Sequence, residues 1–395
     1  MRLRSLRLAS FRAHEETALE LGPKVNLLYG PNGAGKTNVL EAAHYLCLTK
    51  SFLTSTDQHV VRRGRPFFEV EGTFEGARRA SLHVKVVFVP GEGKRVFLNR
   101  APLERLADLV GEAPVVVLSP ADYVLTAGGP EERRRFLDAT LSQAHPVYLD
   151  DLLKYRRALK QRNALLQQVR RGGHLAAGSL RAWDEELVAL GARLIVRRRQ
   201  FLDRFADFLA EAYRLLDAVG EEPTMEYQTV AGVDEAADAE AVAEGFRVTL
   251  ARLRRREAER GRTLAGPHLD EVLFRLGGFE VRPYASQGQH RTVGLALRLA
   301  TFLYLRDRLD EVPLLLLDDV FGTLDARRAA VVLDLLRSEA VGQSLLTASR
   351  PEAVAERVPL RDGEHRAFLV VHGEVTEALP APPGEGVLEP ASDQG

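Results

Sequence analysis

The eight residues Gly30-Pro31-Asn32-Gly33-Ala34-Gly35-Lys36-Thr37 constrain this chain more than any other stretch. They follow the spacing G-x-x-x-x-G-K-[ST], in which backbone N–H groups curl around a phosphate. Glycine suits the loop because a Cβ would block the turn or the close approach of an anion. The flanks match. Val25, Leu27 and Leu28 form a short apolar run before the loop, which predicts a buried strand. After it, Val39, Leu40, Ala43, Leu46 and Cys47 recur at helical spacing. The helix N-terminus would add its partial positive charge. Lys36 is the candidate for the β- and γ-phosphates of ATP, and the Thr37 hydroxyl for Mg²⁺. A glycine-rich turn before an ordinary helix is the bland alternative. The motif and its strand–helix context together argue against it.

A second constellation completes the first. Four consecutive leucines, Leu314 to Leu317, run into Asp318 and Asp319. Such a run predicts a parallel strand buried on both faces. Its carboxylates would emerge at the C-terminal end of the sheet, where open α/β folds bind ligands. This is Walker B logic: Asp318 would order Mg²⁺ through its water shell, and Asp319 could orient an attacking water. Arg12 follows the alternating segment Met1 to Phe11, which predicts an edge or half-buried strand. It is a candidate for nucleotide phosphate, with a solvated strand-end arginine as the alternative.

The rest of the chain alternates in texture. Phe67 to Leu98 predicts a β-rich meander broken at Gly72, Gly76 and Pro90-Gly91-Glu92-Gly93, and Val115 to Leu118 a short buried strand. After Gly128-Gly129-Pro130 the pattern is almost all helical to about Arg262, with apolar stripes at Leu152, Tyr155 and Leu159, at Leu187, Leu190 and Leu194, and at Phe201, Phe205 and Phe208. Basic clusters stand on what read as polar faces: Arg156, Arg157, Lys160 and Arg162; Arg197, Arg198 and Arg199; Arg252, Arg254, Arg255 and Arg256. Val230 to Glu244 is acidic and alanine-rich, a loop and a helix start. Strands resume at Val272 to Leu276 and Phe279 to Val281 about Gly277-Gly278. Ala285 to Leu309 and 326–337 predict helices, and Ser344 to Thr347 a strand.

At 395 residues there is room for about two or three domains. The expected architecture is α/β, a P-loop ATPase head with a mixed sheet and a mostly helical inserted second lobe. The head would comprise 1–125 and 262–378 and the insertion 126–261, with 379–395 a disordered tail. A net charge of −1 means that any nucleic acid must be met by a local patch. The single cysteine, Cys47, reads as a small core residue, with no disulfide framework. Arg2, Arg4 and Arg7 interrupt any leader-like apolar stretch, and no run of about 18 apolar residues spans a membrane. The expected compartment is the cytoplasm.

Ser286-Gln287-Gly288-Gln289 opens the helix before the Asp318 strand and resembles the S-G-G-Q signature of ABC-type ATPases. It offers a hydroxyl, flexible backbone and a helix N-terminus to a γ-phosphate, with Ser286 and Gln289 as the candidate contacts. Gly322-Thr323-Leu324-Asp325 stands where that class has its D-loop, with Asp325 its acidic member. In that class the signature of one subunit closes on nucleotide held by another. The resemblance therefore implies that the head is an ABC-type P-loop ATPase head, with a composite site and an ATP-dependent homodimer.

The order of motifs resembles the RecF family, bacterial recombination and replication-repair ATPases related to SMC heads. The likeness includes Ser10-Phe11-Arg12, Leu118-Ser119-Pro120-Ala121-Asp122, Arg133-Arg134, Phe136-Leu137-Asp138, Lys160-Gln161-Arg162-Asn163 and Thr263-Leu264-Ala265-Gly266-Pro267-His268. It implies weak DNA-dependent ATPase activity acting as a dimerisation timer, and binding of double-stranded and gapped DNA. It also implies assistance to RecO and RecR in loading RecA, a link to SOS induction, and no membrane partner. The sequence departs from the family at Gly322-Thr323, where Ser-Glu is commoner, and at Leu53, where arginine is usual. Thr347-Ala348-Ser349 replaces the switch histidine of many ABC ATPases, and no Q-loop is assigned, Gln58 included. Two other classes share part of the motif set. A transporter ATPase would be more compact between Lys36 and Ser286 and would couple through a Q-loop. A small-molecule P-loop kinase needs neither signature nor self-association.

Overall fold

The structure is a computed structural model of the chain and describes residues 1–173, 178–216, 221–229, 238–360 and 363–380. The part of the expected tail from 381 onward, and 230–237 of the acidic stretch, lie outside the described residues. The chain divides into two compact units, Met1–Pro120 with Leu309–Gly395, and Ala121–Arg308. These boundaries differ from the expected ones, since 121–125 and 262–308 fall in the second unit.

The chain opens with a hairpin, β1 (Arg2–Phe11) and β2 (His14–Glu20), followed by β3 (Val25–Tyr29) and α1 (Lys36–Leu48). A meander follows, of β4 (Phe68–Glu75), β5 (Leu82–Val89), β6 (Gly93–Leu98) and β7 (Ala101–Pro102), then β8 (Val115–Leu118). The second unit contains α2 (Tyr123–Ala127), α3 (Pro130–Ala144), α4 (Pro146–Arg170), α5 (Ser179–Leu216), β9 (Pro223–Gln228) and α6 (Ala239–Arg260). It continues with β10 (Glu271–Leu276), β11 (Phe279–Glu280), α7 (Val281–Tyr284) and α8 (Gln287–Leu309). The chain returns through β12 (Leu314–Leu317), α9 (Ala326–Arg337), β13 (Ser344–Ala348), α10 (Glu352–Ala355), β14 (Arg366–Val371) and β15 (Glu374–Glu377).

In the first unit, the described strands form two six-stranded sheets, β2-β1-β4-β5-β6-β7 and β15-β14-β3-β13-β12-β8. The first is antiparallel throughout. The second is parallel except for β15, which gives the mixed sheet expected. Every residue of β12 is wholly buried, with Leu317 opposite Leu118 on one side and Leu346 on the other. That position explains the unbroken leucine run. Helix α1 is apolar around most of its circumference; Val39, Leu40, Ala42, Ala43, Tyr45, Leu46 and Cys47 share one core with residues of both sheets. A helix buried on all sides has no need of the usual polar stripe. β1 is no edge strand. It pairs with β2 and β4, while its alternating burial keeps it half-buried as expected.

In the second unit, α4, α5 and α6 pack through the expected stripes: Leu152 and Tyr155, Leu187, Leu190 and Leu194, then Phe201 and Phe205 are buried. Phe201 meets Tyr304 of α8 edge-on at 4.9 Å between ring centres. Within the stretch expected to be almost all helical lies one strand, β9, which pairs with β10 to make a three-stranded sheet with β11. Val281 opens the short α7 and does not extend β11. Among the described residues no helix is long and apolar enough to cross a membrane.

Candidate functional site

The loop 30–35 joins β3 to α1 at the C-terminal end of the parallel strands. Gly30 has φ +142°, and a Cβ there would lie 2.2 Å from the Val370 carbonyl oxygen, so only glycine fits. Gly35 caps α1 with φ +109° and packs against the first hairpin. The His14 Nε2–H donates to the Gly35 carbonyl at 3.0 Å, and Nδ1 lies 3.0 Å from Thr17 Oγ1. Burial holds the His14 pKa below its ordinary value, which keeps the ring neutral in this role. From the other side, the Gly373 N–H donates to the Ala34 carbonyl at 2.9 Å. The loop is thus braced by two turns that no motif announces.

Lys36 is buried, and its Nζ donates to the Gly30 and Pro31 carbonyls at 2.8 Å each. Burial lowers its pKa, with Asp319 and Asp318 acting the other way. Pro31, Asn32 and Gly33 are exposed at the loop's tip, and Ala34 is buried beneath it. Thr37 Oγ1 donates to Asp318 Oδ1 at 2.6 Å. This contact brings the loop helix and the aspartate strand together.

Thr347, at the end of β13, is a third member whose part the sequence did not disclose. Its Oγ1 donates to Asp318 Oδ1 at 2.9 Å and accepts from the Asp319 N–H at 2.8 Å. The Asp318 pKa is raised, chiefly by burial; the bonds from Thr37 and Thr347 oppose this, Asp319 adds to it and Lys36 opposes it. Asp319 takes a left-handed conformation, φ +48°, and its side chain is exposed. Such a conformation is strained for a non-glycine residue and persists only where the surroundings enforce it. Here the Thr347 hydroxyl holds its N–H.

Arg12 is differently engaged from a free phosphate ligand. Its Nε and Nη2 donate to the two carboxylate oxygens of Glu41 at 2.8 and 2.7 Å, and Nη1 to the His59 carbonyl at 2.8 Å. Glu41 lies wholly buried on α1, so the pair ties the hairpin to the loop helix. A phosphate contact would require that bidentate pair to open.

Ser286 and Gln289 belong to the second unit, where they form a reciprocal cap on α8. The Ser286 N–H donates to Gln289 Oε1 at 2.8 Å, and the Gln289 N–H to Ser286 Oγ at 3.2 Å. This is a capping box. Ser286, Gln287 and Gly288 are exposed, leaving the helix N-terminus open to solvent. In the first unit Asp325 caps α9, accepting from the Arg328 N–H at 2.9 Å and pairing with its guanidinium at 2.7 Å. The Arg328 backbone bond is the main reason its pKa falls.

Two arginines of the basic clusters do not lie on polar faces. Arg162 is buried and donates to Asp184 at 2.7 Å, Glu257 at 2.6 Å and Thr263 Oγ1 at 2.8 Å. Arg198 is buried and donates to Asp138 at 2.7 Å, the Tyr148 hydroxyl at 3.0 Å and the Pro267 carbonyl at 2.6 Å. Their carboxylates and carbonyls stand far away in sequence, so helical spacing alone misplaced them. The same holds for other blocks of the resemblance. Arg133 pairs bidentately with Glu271 at 2.8 Å, and Arg298 with Asp122 at 2.8 Å. These residues build the scaffold of the second unit.

Comparison with known proteins places this geometry. The model of the RecF/RecN/SMC N terminal domain matches residues 2–360. The chain is 54% identical over 384 residues to the DNA replication and repair protein RecF of Salinibacter ruber, covering 97% of this chain and 93% of that one. It superposes with TM-score 0.87 and 29% identity on a solved structure of the recombination mediator protein RecF-ATPrS in the RecFOR pathway, over 96% of this chain and 98% of that one. An Smc head domain from Pyrococcus furiosus shares the fold alone, with TM-score 0.54 and 12% identity over 95% of each chain. With that family model spanning most of the chain and a relative 54% identical over nearly all of it, the chain belongs to the RecF family.

Proposed function

We propose that this chain is an ATP-dependent, dimerising, DNA-binding ATPase of recombinational repair and replication restart. The observation that carries the reading is the hydrogen-bonded set Thr37, Asp318 and Thr347, which joins the phosphate loop to the aspartate strand. The loop N–H groups and the α1 N-terminus would receive the phosphates of ATP. Lys36 would exchange the Gly30 and Pro31 carbonyls for the β- and γ-phosphates. Thr37 and Asp318 present a hydroxyl and a carboxylate oxygen together, a donor set that fits Mg²⁺. When bound, that ion would neutralise charge on the β- and γ-oxygens. Asp319, held in place by Thr347, would orient the attacking water.

The exposed cap at Ser286 would close on the nucleotide of a second copy, with Gln289 beside it and Asp325 at the D-loop. Hydrolysis then releases the dimer, so a slow ATPase acts as a timer. The partners are double-stranded and gapped DNA and, through the family, RecR and RecO, with loading of RecA and a role in SOS induction. The setting is the cytoplasm. The relative described as belonging to the RecFOR pathway supports the partner assignment. Sedimentation with and without ATP tests the reading. The wild-type chain should dimerise on ATP, Lys36→Ala should not, and Ser286→Arg should bind ATP as a monomer. Dimers of Lys36→Ala on ATP would overturn it.

A further inference from the structure

Three of the six arginines of α6 are committed to neighbours. Arg247 pairs with Glu244, Arg254 with Asp184, and Arg255 with Glu259. Arg252, Arg256 and Arg260 differ. They are exposed, recur every fourth residue, and have no side-chain partner among the described residues. Four-residue spacing puts neighbours on one side of a helix, and from Arg252 to Arg260 the lane runs about 12 Å. It leads into an open cleft of about 880 Å³ lined by Gln167, Arg170, Arg171, Glu259, Arg260, Gly261 and Arg262. Gly261, at φ +67°, turns the chain there so tightly that a Cβ would come 2.9 Å from Arg170 Cδ. The guanidiniums of Arg170, Arg171 and Arg262 likewise have no partner among the described residues.

Arginines at the ends of α4 and α6 offset the negative ends of two helix dipoles. That explains Arg170 and Arg260. It does not explain Arg252, Arg256 or Arg262, which leave the lane strongly positive. No aromatic side chain lines the cleft, so nothing there is suited to stack on a base. An elongated lane favours a polyanion over a mononucleotide. A DNA duplex carries about seven phosphates along 12 Å of its axis.

We infer that the lane Arg252, Arg256 and Arg260, with the Arg170–Arg262 cleft at its end, binds the phosphate backbone of duplex DNA without reading its sequence. This rests on the DNA-binding reading above and names a face for it. The test is binding of a gapped duplex by the full chain, with ATP, over a range of NaCl concentrations. Arg256→Ala/Arg260→Ala should weaken binding about tenfold or more and reduce the slope of log K against log salt by roughly 2, close to one phosphate per arginine. Arg247→Ala/Arg255→Ala removes the same charge from paired positions of the same helix and should leave the slope unchanged. ATP-driven dimerisation should be normal in both. Equal slopes in the two variants, with a wild-type chain that binds DNA, would overturn the inference and leave the reading standing. A wild-type chain that binds no DNA would overturn both. An unchanged DNA slope with lost binding to polyglutamate would assign the lane to an acidic protein and also overturn it.

Discussion

Thr347 Oγ1 bridges the two aspartates that follow β12, donating to Asp318 Oδ1 at 2.9 Å and accepting from the Asp319 N–H at 2.8 Å. One hydroxyl therefore steadies both the carboxylate proposed to hold Mg²⁺ and the strained backbone of the residue proposed to orient water. Thr347→Val keeps the shape and removes the bond. It leaves the Asp319 N–H without its acceptor, at a cost of about 1–3 kcal/mol if the group stays buried. Turnover should fall on the order of ten- to a hundredfold, because misplaced catalytic groups lose rate before affinity. The KM for ATP should change little. Steady-state ATPase assays check this; unchanged turnover would leave Thr347 a structural residue only.

Asp319→Asn should keep ATP binding and prolong the ATP-bound dimer. The substitution removes the negative charge proposed to orient water but leaves Lys36, Thr37 and Asp318 in place. Sedimentation after ATP addition measures dimer lifetime. Rapid turnover in this variant would assign the base elsewhere.

Arg198→Met should destabilise the fold by about 3–5 kcal/mol, the usual result of leaving a buried charge partner uncompensated. Asp138 would retain Arg156 at 2.9 Å and the Tyr148 hydroxyl at 2.6 Å, which limits the loss. Urea denaturation monitored by circular dichroism measures it. DNA affinity per folded molecule should not change, because Arg198 is buried and engaged.

Stability should depend on His268 in mildly acid solution. Burial pushes its pKa down from the ordinary 6.5 to about 4, and the Tyr155 hydroxyl lies 2.7 Å from Nδ1, a contact that a neutral ring accepts. Between those two values the unfolded chain binds more protons than the folded one, so stability falls as pH falls. The loss begins near pH 6.5 and is complete near pH 4, amounting to about 3 kcal/mol from this residue. His268→Gln should remove that part of the slope in urea melts taken from pH 7 to pH 4. An identical slope would show that other groups carry the acid sensitivity.

The parts legible in the sequence were those written in adjacent residues. The loop Gly30 to Thr37 and the run Leu314 to Asp319 carry their strand, turn and helix context with them, and the structure brings Thr37 and Asp318 together. β2, β9, β14 and β15 escaped, because short strands such as Pro223–Gln228 lack a strong alternating pattern and depend on their pairing partners. Thr347 was visible as the residue in place of a histidine, yet its bonds reach 28 and 29 positions back along the chain. Arg162 and Arg198 looked like solvated helix faces for the same reason, since Glu257 and Asp138 are 95 and 60 positions away. Helical periodicity sees one helix at a time and cannot see a partner on another.

The central claim is that ATP completes a site between two copies of this chain. ATPase rate measured against protein concentration, with and without double-stranded DNA, tests it most directly. The account predicts a rate that rises faster than linearly with concentration and rises again with DNA. A rate strictly linear in protein and indifferent to DNA would contradict it, since each chain would then hydrolyse ATP alone.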